Sequence, residues 1–135
     1  MSKASSKERS GRVCWVDLAT ADEQLAKTFY CRLFRWSVED RVAASGRFSA
    51  FGCAGEPVAS MYQLNRAQLA GGVPSHWTAY VAVPDVDLAA TDAERLGGRI
   101  VAPPQTVGGI ARIGLIADPT GALVGLWQTS GPQRA

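Results

Sequence analysis

This 135-residue chain lacks most of the groups that mark a reaction centre. It has one histidine, His76, so any Ser–His–Asp or Cys–His arrangement would have to use that residue. Its three cysteines, Cys14, Cys31 and Cys53, are odd in number and widely spaced. They form neither a zinc pattern nor a disulfide framework. Cys14 falls in an expected strand and Cys31 in an expected helix, and the plain reading of both is a small buried hydrophobe. No apolar run approaches the ~20 residues of a membrane span, so no membrane partner is expected. Gly97-Gly98 and Gly108-Gly109 lack the spacing, the lysine and the following helix of a phosphate cradle.

Charge is also sparse, at 19% of residues, against 47% apolar. The net charge of +2 resides in the ends: Lys3, Lys7, Arg9, Arg12 and Arg134 stand against Glu8 alone. Without these, acidic residues outnumber basic ones by two, which leaves no basic face for nucleic acid. Residues 1–12 read as a disordered basic arm. They lack the apolar stretch of a signal peptide, so a cytoplasmic protein is expected. The length suits one domain with a substantial core.

What the chain does contain is an internal repeat. At an offset of 63, Trp15–Thr20 falls on Thr78–Val83, Asp22 on Asp85, Leu25 on Leu88, Leu33 on Leu96 and Val38 on Val101. At an offset of 65, Val58–Tyr62 falls on Leu123–Trp127. A repeat of this length is one supersecondary unit copied.

Val13–Leu18 reads as a strand. Thr20-Ala-Asp-Glu23 has capping-box spacing, with Thr20 expected to cap and Glu23 to reach back. An amphipathic helix to about Phe34 follows, with Leu25, Phe29 and Leu33 in an i, i+4 stripe. Trp36–Asp40, Arg47–Gly52 and Pro57–Leu64 are expected strands. Asn65–Ser75 reads as a linker. In the second copy His76–Val83 is a strand, and Asp85 starts a helix that ends near Leu96 before Gly97-Gly98. Arg99–Ala102 is a strand, and Pro103-Pro104 and Gly108-Gly109 bracket a loop. Ala111–Ala117 and Ala122–Gln128 are strands joined by the Asp118-Pro-Thr-Gly121 turn. The expected fold is α+β. Two βαβββ units, 13–64 and 76–128, supply eight strands in two curved sheets that enclose a shared cavity. One helix lies outside each sheet, and 129–135 form a tail.

Three motifs, in order, resemble the vicinal oxygen chelate superfamily, which includes glyoxalase I, bleomycin-resistance proteins and extradiol dioxygenases. The first is the strand–Asp22–helix segment ending Phe29-Tyr-Cys-Arg-Leu-Phe-Arg-Trp36, with Arg35 where the family usually has glycine. The second is Val83-Pro-Asp-Val86 with the later Leu96-Gly-Gly-Arg-Ile-Val101. The third is Asp118-Pro-Thr-Gly-Ala-Leu-Val-Gly-Leu-Trp127. The resemblance implies four metal-ligand positions on the first and last strands of each unit. Counted across, these are Trp15, Ser60, Thr78 and Gly125. An indole, two hydroxyls and a glycine are no ligand set for zinc, nickel or iron, so no metal and no other cofactor is expected. None of their immediate neighbours is His, Glu or Gln. His76 reads as a rim residue.

Strand parity aims Trp15 and Asp17, Ser60 and Tyr62, Thr78 and Tyr80, and Gly125 and Trp127 into the cavity. Gly125 is expected to leave room there. The expected ligand is a small aromatic or amphipathic organic molecule, gripped by rings and oriented by few polar groups. A cation would also gain from the rings and Asp17. Three alternatives stand beside this reading. The aromatics could fill a collapsed core, with Asp17 paired to Arg112 or Tyr80. The chain could be a pure interaction module. It could also be a lyase, isomerase or dioxygenase, either with a metal site around His76 and Asp17 or metal-free with Asp17 as acid/base. A homodimer is expected.

Overall fold

The strand that opens the repeat, β1 (Val13–Thr20), runs into Asp22 and helix α1 (Glu23–Phe34). The computed structural model describes residues 10–43, 46–108 and 111–129. Most of the expected N-terminal arm and of the tail lies outside them. After α1 come β2 (Ser37–Ala43), β3 (Gly46–Cys53), β4 (Glu56–Gln63) and a short helix, α2 (Arg66–Ala70). The second copy holds β5 (His76–Ala82), α3 (Val86–Arg95), β6 (Arg99–Val107), β7 (Ala111–Ala117) and β8 (Leu123–Thr129). The class is α+β with eight strands and βαβββ-like units. Three helices, not two, stand among the described residues.

Two compact units result, one of residues 15–78 and the other of 1–14 with 79–135. In the first, the strand order is β2-β3-β4-β1, with β4 and β1 parallel. In the second it is β5-β8-β7-β6, with β5 and β8 parallel. The repeat is kept to the residue: Asp17 pairs with Ser60 where Tyr80 pairs with Gly125, and Ala19 pairs with Tyr62 where Ala82 pairs with Trp127. At the other end of the second unit's circuit, Gly11 and Arg12 exchange backbone hydrogen bonds with Ala82.

The two long helices, α1 and α3, start in the same way. Asp22 caps α1, accepting from the amides of Gln24 and Leu25, and Asp85 caps α3 by accepting from Leu88. This corrects the expectation that Thr20 is the cap; Thr20 ends β1, and its hydroxyl accepts from the Asp22 amide. The Glu23 amide donates to Gln63, not to Thr20. A glutamine from the last strand of each unit completes each cap, Gln63 on Glu23 and Gln128 on Val86. The expected linker holds α2, with a full Asn65–Gln68 capping box. The Pro103-Pro104 segment belongs to β6, not to a loop. Proline, which lacks the N–H, is tolerated at this position because β6 lies at the end of the strand order and its register shifts between Ala102 and Gln105.

The first core gathers Leu18, Phe51, Ala59 and Met61, with Val16, Ala26, Tyr30, Cys31 and Trp36 packed on it. The second gathers Val86, Ala90 and Leu126 with Ile100 and Ile116. Cys31 is half-buried as a packing residue, but Cys14 is exposed, against expectation. The Leu25, Phe29, Leu33 stripe does not face the sheet: these side chains are 70, 57 and 56% exposed. Ala26, Tyr30 and Cys31 take the inner face instead. The small Ala26 and Cys31 let the helix approach, and Tyr30 sits among Trp36, Phe51 and Trp77. No helix among the described residues is long and apolar enough to cross a membrane.

Candidate functional site

The parallel pairing of β1 with β4 places Asp17 directly beside Ser60. Trp15, two residues earlier on the same face, donates its indole N–H to Ser60 Oγ at 2.8 Å. Ser60 in turn donates its hydroxyl to Asp17 Oδ1 at 2.6 Å. The result is a directed chain, indole to hydroxyl to carboxylate, in which Ser60 is both acceptor and donor. Such a chain fixes all three side chains because each is oriented by the next. Strand parity thus brings three of the expected residues into one hydrogen-bonded group.

Asp17 sits mostly out of water. Desolvation pushes its pKa from 3.8 up to about 6, while the Ser60 hydrogen bond and the charge of His76 pull it down. Tyr62, two residues beyond Ser60, is half-buried. Its phenol is raised above the usual value by burial first and by the Asp17 charge second, against a hydrogen bond with Gln68 of α2. His76 is held by its Nδ1, which donates to the Pro74 carbonyl at 2.8 Å. In the neutral ring this leaves Nε2 as the acceptor. His76 is half-buried at the start of β5. Thr78 is buried.

Arg112, which the collapsed-core alternative offered beside Tyr80 as a partner for Asp17, is clamped by Asp87. Its Nε and Nη2 donate to the two carboxylate oxygens, each at 2.8 Å. Ser60 bonds the side chains of Trp15 and Asp17.

The equivalent strand pair in the second unit is chemically different. The Tyr80 ring lies over Gly125 so closely that a Cβ built on Gly125 would overlap it. Gly125 thus leaves no vacant room; Tyr80 has taken it. Tyr80 also meets Trp127 edge-on at 6.0 Å.

Of the positions that the resemblance assigns to ligands, Trp15 spends its N–H on Ser60, and Gly125 is covered by Tyr80. A metal does not fit these residues. Among the described residues, no group of three or more His, Cys, Asp or Glu is placed to hold an ion.

Residues 12–126 match the family described as the Glyoxalase/Bleomycin resistance protein/Dioxygenase superfamily. The chain belongs to this superfamily. It is 38% identical over 127 residues to "Putative glyoxylase CFP32" of Mycobacterium tuberculosis (strain CDC 1551 / Oshkosh), a match covering 93% of this chain and 48% of the relative. It is 31% identical over 131 residues to the anthracycline biosynthesis protein DnrV of Streptomyces peucetius, covering 87% of this chain and 47% of that protein. The chain thus spans about half the length of these relatives. Among solved structures, methylmalonyl-CoA epimerase from Mycobacterium tuberculosis superposes with a TM-score of 0.65 at 18% identity, covering 97% of this chain and 94% of that one. The hypothetical protein BH1468 from Bacillus halodurans C-125 gives 0.69 at 9%, covering 93% and 99%. At these identities the superpositions speak to the superfamily fold alone.

The Gln63 and Gln128 caps were missed in the sequence. Their signal was the next step of the 65-residue offset, one position beyond Tyr62 and Trp127.

Proposed function

We propose that this member of the superfamily binds a small aromatic or amphipathic organic molecule without a metal, and that the grip lies on the first unit at Trp15, Asp17, Ser60, Tyr62 and Thr78. The Trp15–Ser60–Asp17 chain carries the reading. A core needs no carboxylate, and desolvating one is costly unless something gains from it. One carboxylate oxygen is committed to Ser60. The other can accept from a ligand hydroxyl, amine or amide between the Trp15 and Tyr62 rings. A relative named for anthracycline biosynthesis supports a flat, oxygenated, polycyclic ligand class. Titration calorimetry with a panel of hydroxyanthraquinones and cationic aromatics tests this. Binding that falls at least tenfold in Asp17→Asn and in Tyr62→Ala is expected. No binding across the panel, or binding indifferent to both substitutions, rejects it.

A second reading rests on the position of Asp17 near neutrality, with His76 close by. Such a carboxyl can exchange a proton with a carbon acid and so serve as acid/base in a lyase or isomerase. The expected signature is a rate inflection near pH 6 that vanishes in Asp17→Asn. A rate without that inflection rejects catalysis by Asp17.

A further inference from the structure

We propose that the outer face of α1 is a self-association surface, taking a second copy of this chain in antiparallel helix-to-helix contact. The face carries Leu25, Phe29 and Leu33 side by side, each more than half exposed, flanked by Thr28 and Arg32. Clustered apolar side chains of this size mark a contact surface more often than scattered single ones.

The repeat supplies an internal control. The same three positions on α3 are Leu88, Asp92 and Leu96, and both leucines are exposed there too. At the centre, however, stands Asp92, bonded to Arg95 at 3.1 Å. Helix α3 shows this face as water requires it. In α1 the centre is Phe29, and the stripe runs unbroken. Among the described residues, Ala26, Tyr30 and Cys31 pack α1 on the first core, and Phe29 meets only the edge of its neighbour Tyr30, at 5.0 Å, while staying 57% exposed.

Charge and symmetry select the occupant. Leu25 and Leu33 lie one turn either side of Phe29, so the stripe reads alike in both directions. A two-fold axis perpendicular to α1 makes it complementary to itself. The helix begins at the carboxylate of Asp22 and ends with Arg32 and Arg35, both exposed. Antiparallel pairing sets the acidic start of one copy against the basic end of the other and opposes the helix dipoles. Parallel pairing would set the arginines against each other. One helix face is small beside the about 800 Å² per partner of a standard interface, so association belongs at tens to hundreds of micromolar.

Sedimentation equilibrium over 1–500 µM decides it, with circular dichroism to confirm folding. The wild-type chain should dimerise in that range. Phe29→Asp, which copies Asp92 of α3, should weaken the dimer at least tenfold, and Arg32→Glu with Arg35→Glu should weaken it several-fold. Leu88→Glu on α3 should leave it intact. A chain that stays monomeric at 500 µM overturns the proposal. So does a dimer that ignores Phe29→Asp, which would place the contact elsewhere, and so does one that Leu88→Glu breaks equally.

Discussion

Two strand pairs with one register carry opposite chemistry. Asp17 beside Ser60 makes a polar, directed hydrogen-bond chain that ends on a desolvated carboxylate. Tyr80 beside Gly125 makes a ring laid over bare backbone. The backbone ladder is the same, so duplication preserved the fold while the side chains diverged. The caps tell the same story from the other side. Asp22 with Gln63 and Asp85 with Gln128 do identical work in both copies, because both helices have the same unsatisfied amides. The helix-capping positions stayed alike, and the paired positions Asp17–Ser60 and Tyr80–Gly125 did not.

The contrast breaks most sharply at Gly125. Gly125→Ser forces the Tyr80 ring off its seat and should cost about 3 kcal/mol in denaturant unfolding, in the range of overpacked sites. Adding Tyr80→Ala should return part of that loss, since the overlap is with the ring. A Gly125→Ser protein of wild-type stability would mean that the ring moves freely.

The next effect lies at Asp17. Its folded pKa is about 6 against 3.8 in the open chain, so the folded state holds the proton more tightly. Stability therefore falls as pH rises between about 4 and 6, and above that window the ionised carboxylate opposes folding by about 2–3 kcal/mol. Asp17→Asn should flatten that slope and raise stability at pH 7 by about 2 kcal/mol. Asp40, Asp87 and Asp118 are lowered by their partners, so they lose stabilisation only as pH falls below the ordinary carboxylate range. Subtracting the variant's pH profile from the wild-type profile cancels them. A difference without slope between pH 4 and 6 would refute the desolvated carboxylate.

Ser60→Ala sharpens the same comparison by cutting the chain in the middle. It removes the acceptor of the Trp15 N–H and the donor to Asp17 and should cost about 1–2 kcal/mol. Because the Ser60 bond holds the carboxyl down, the Asp17 midpoint should move above 6 in a carbon-13 NMR titration. A midpoint that moves down would contradict the hydrogen-bond geometry.

The smallest effect is at Arg35, which closes α1 with φ 60 and ψ 35, in the left-handed region. Glycine takes that conformation without a Cβ penalty, so Arg35→Gly should stabilise by about 0.5–1 kcal/mol, read as a rise in melting temperature. Thermal unfolding with no rise would show that the arginine makes up the difference elsewhere.

Much of this was legible in the residues. Strand parity put Trp15, Asp17, Ser60 and Tyr62 on one face, and the shared register of the copies followed from the 63- and 65-residue offsets. The helix cap was misplaced by two residues because Thr20 and Asp22 are both good capping types, and only the path of β1 separates them. The direction of the α1 stripe was not legible at all. Leu25-Phe29-Leu33 and Ala26-Tyr30-Phe34 are both apolar at helical spacing, and the larger stripe looked like the packing face. The inner face went to the stripe whose small residue lets the helix settle and whose tyrosine finds aromatic neighbours.

The sequence by itself determined the two βαβββ units, their helix-starting aspartates and the absence of a metal-ligand set at the expected positions. Those depend on local spacing and on residue chemistry, which no tertiary contact can change. Only the tertiary structure decided that Ser60 links Trp15 to Asp17, that Tyr80 fills the space over Gly125, that Arg112 belongs to Asp87, and that Phe29 faces outward. Each of these is a choice among partners distant in the chain, settled by which side chains the folded strands and helices bring within hydrogen-bonding or packing distance.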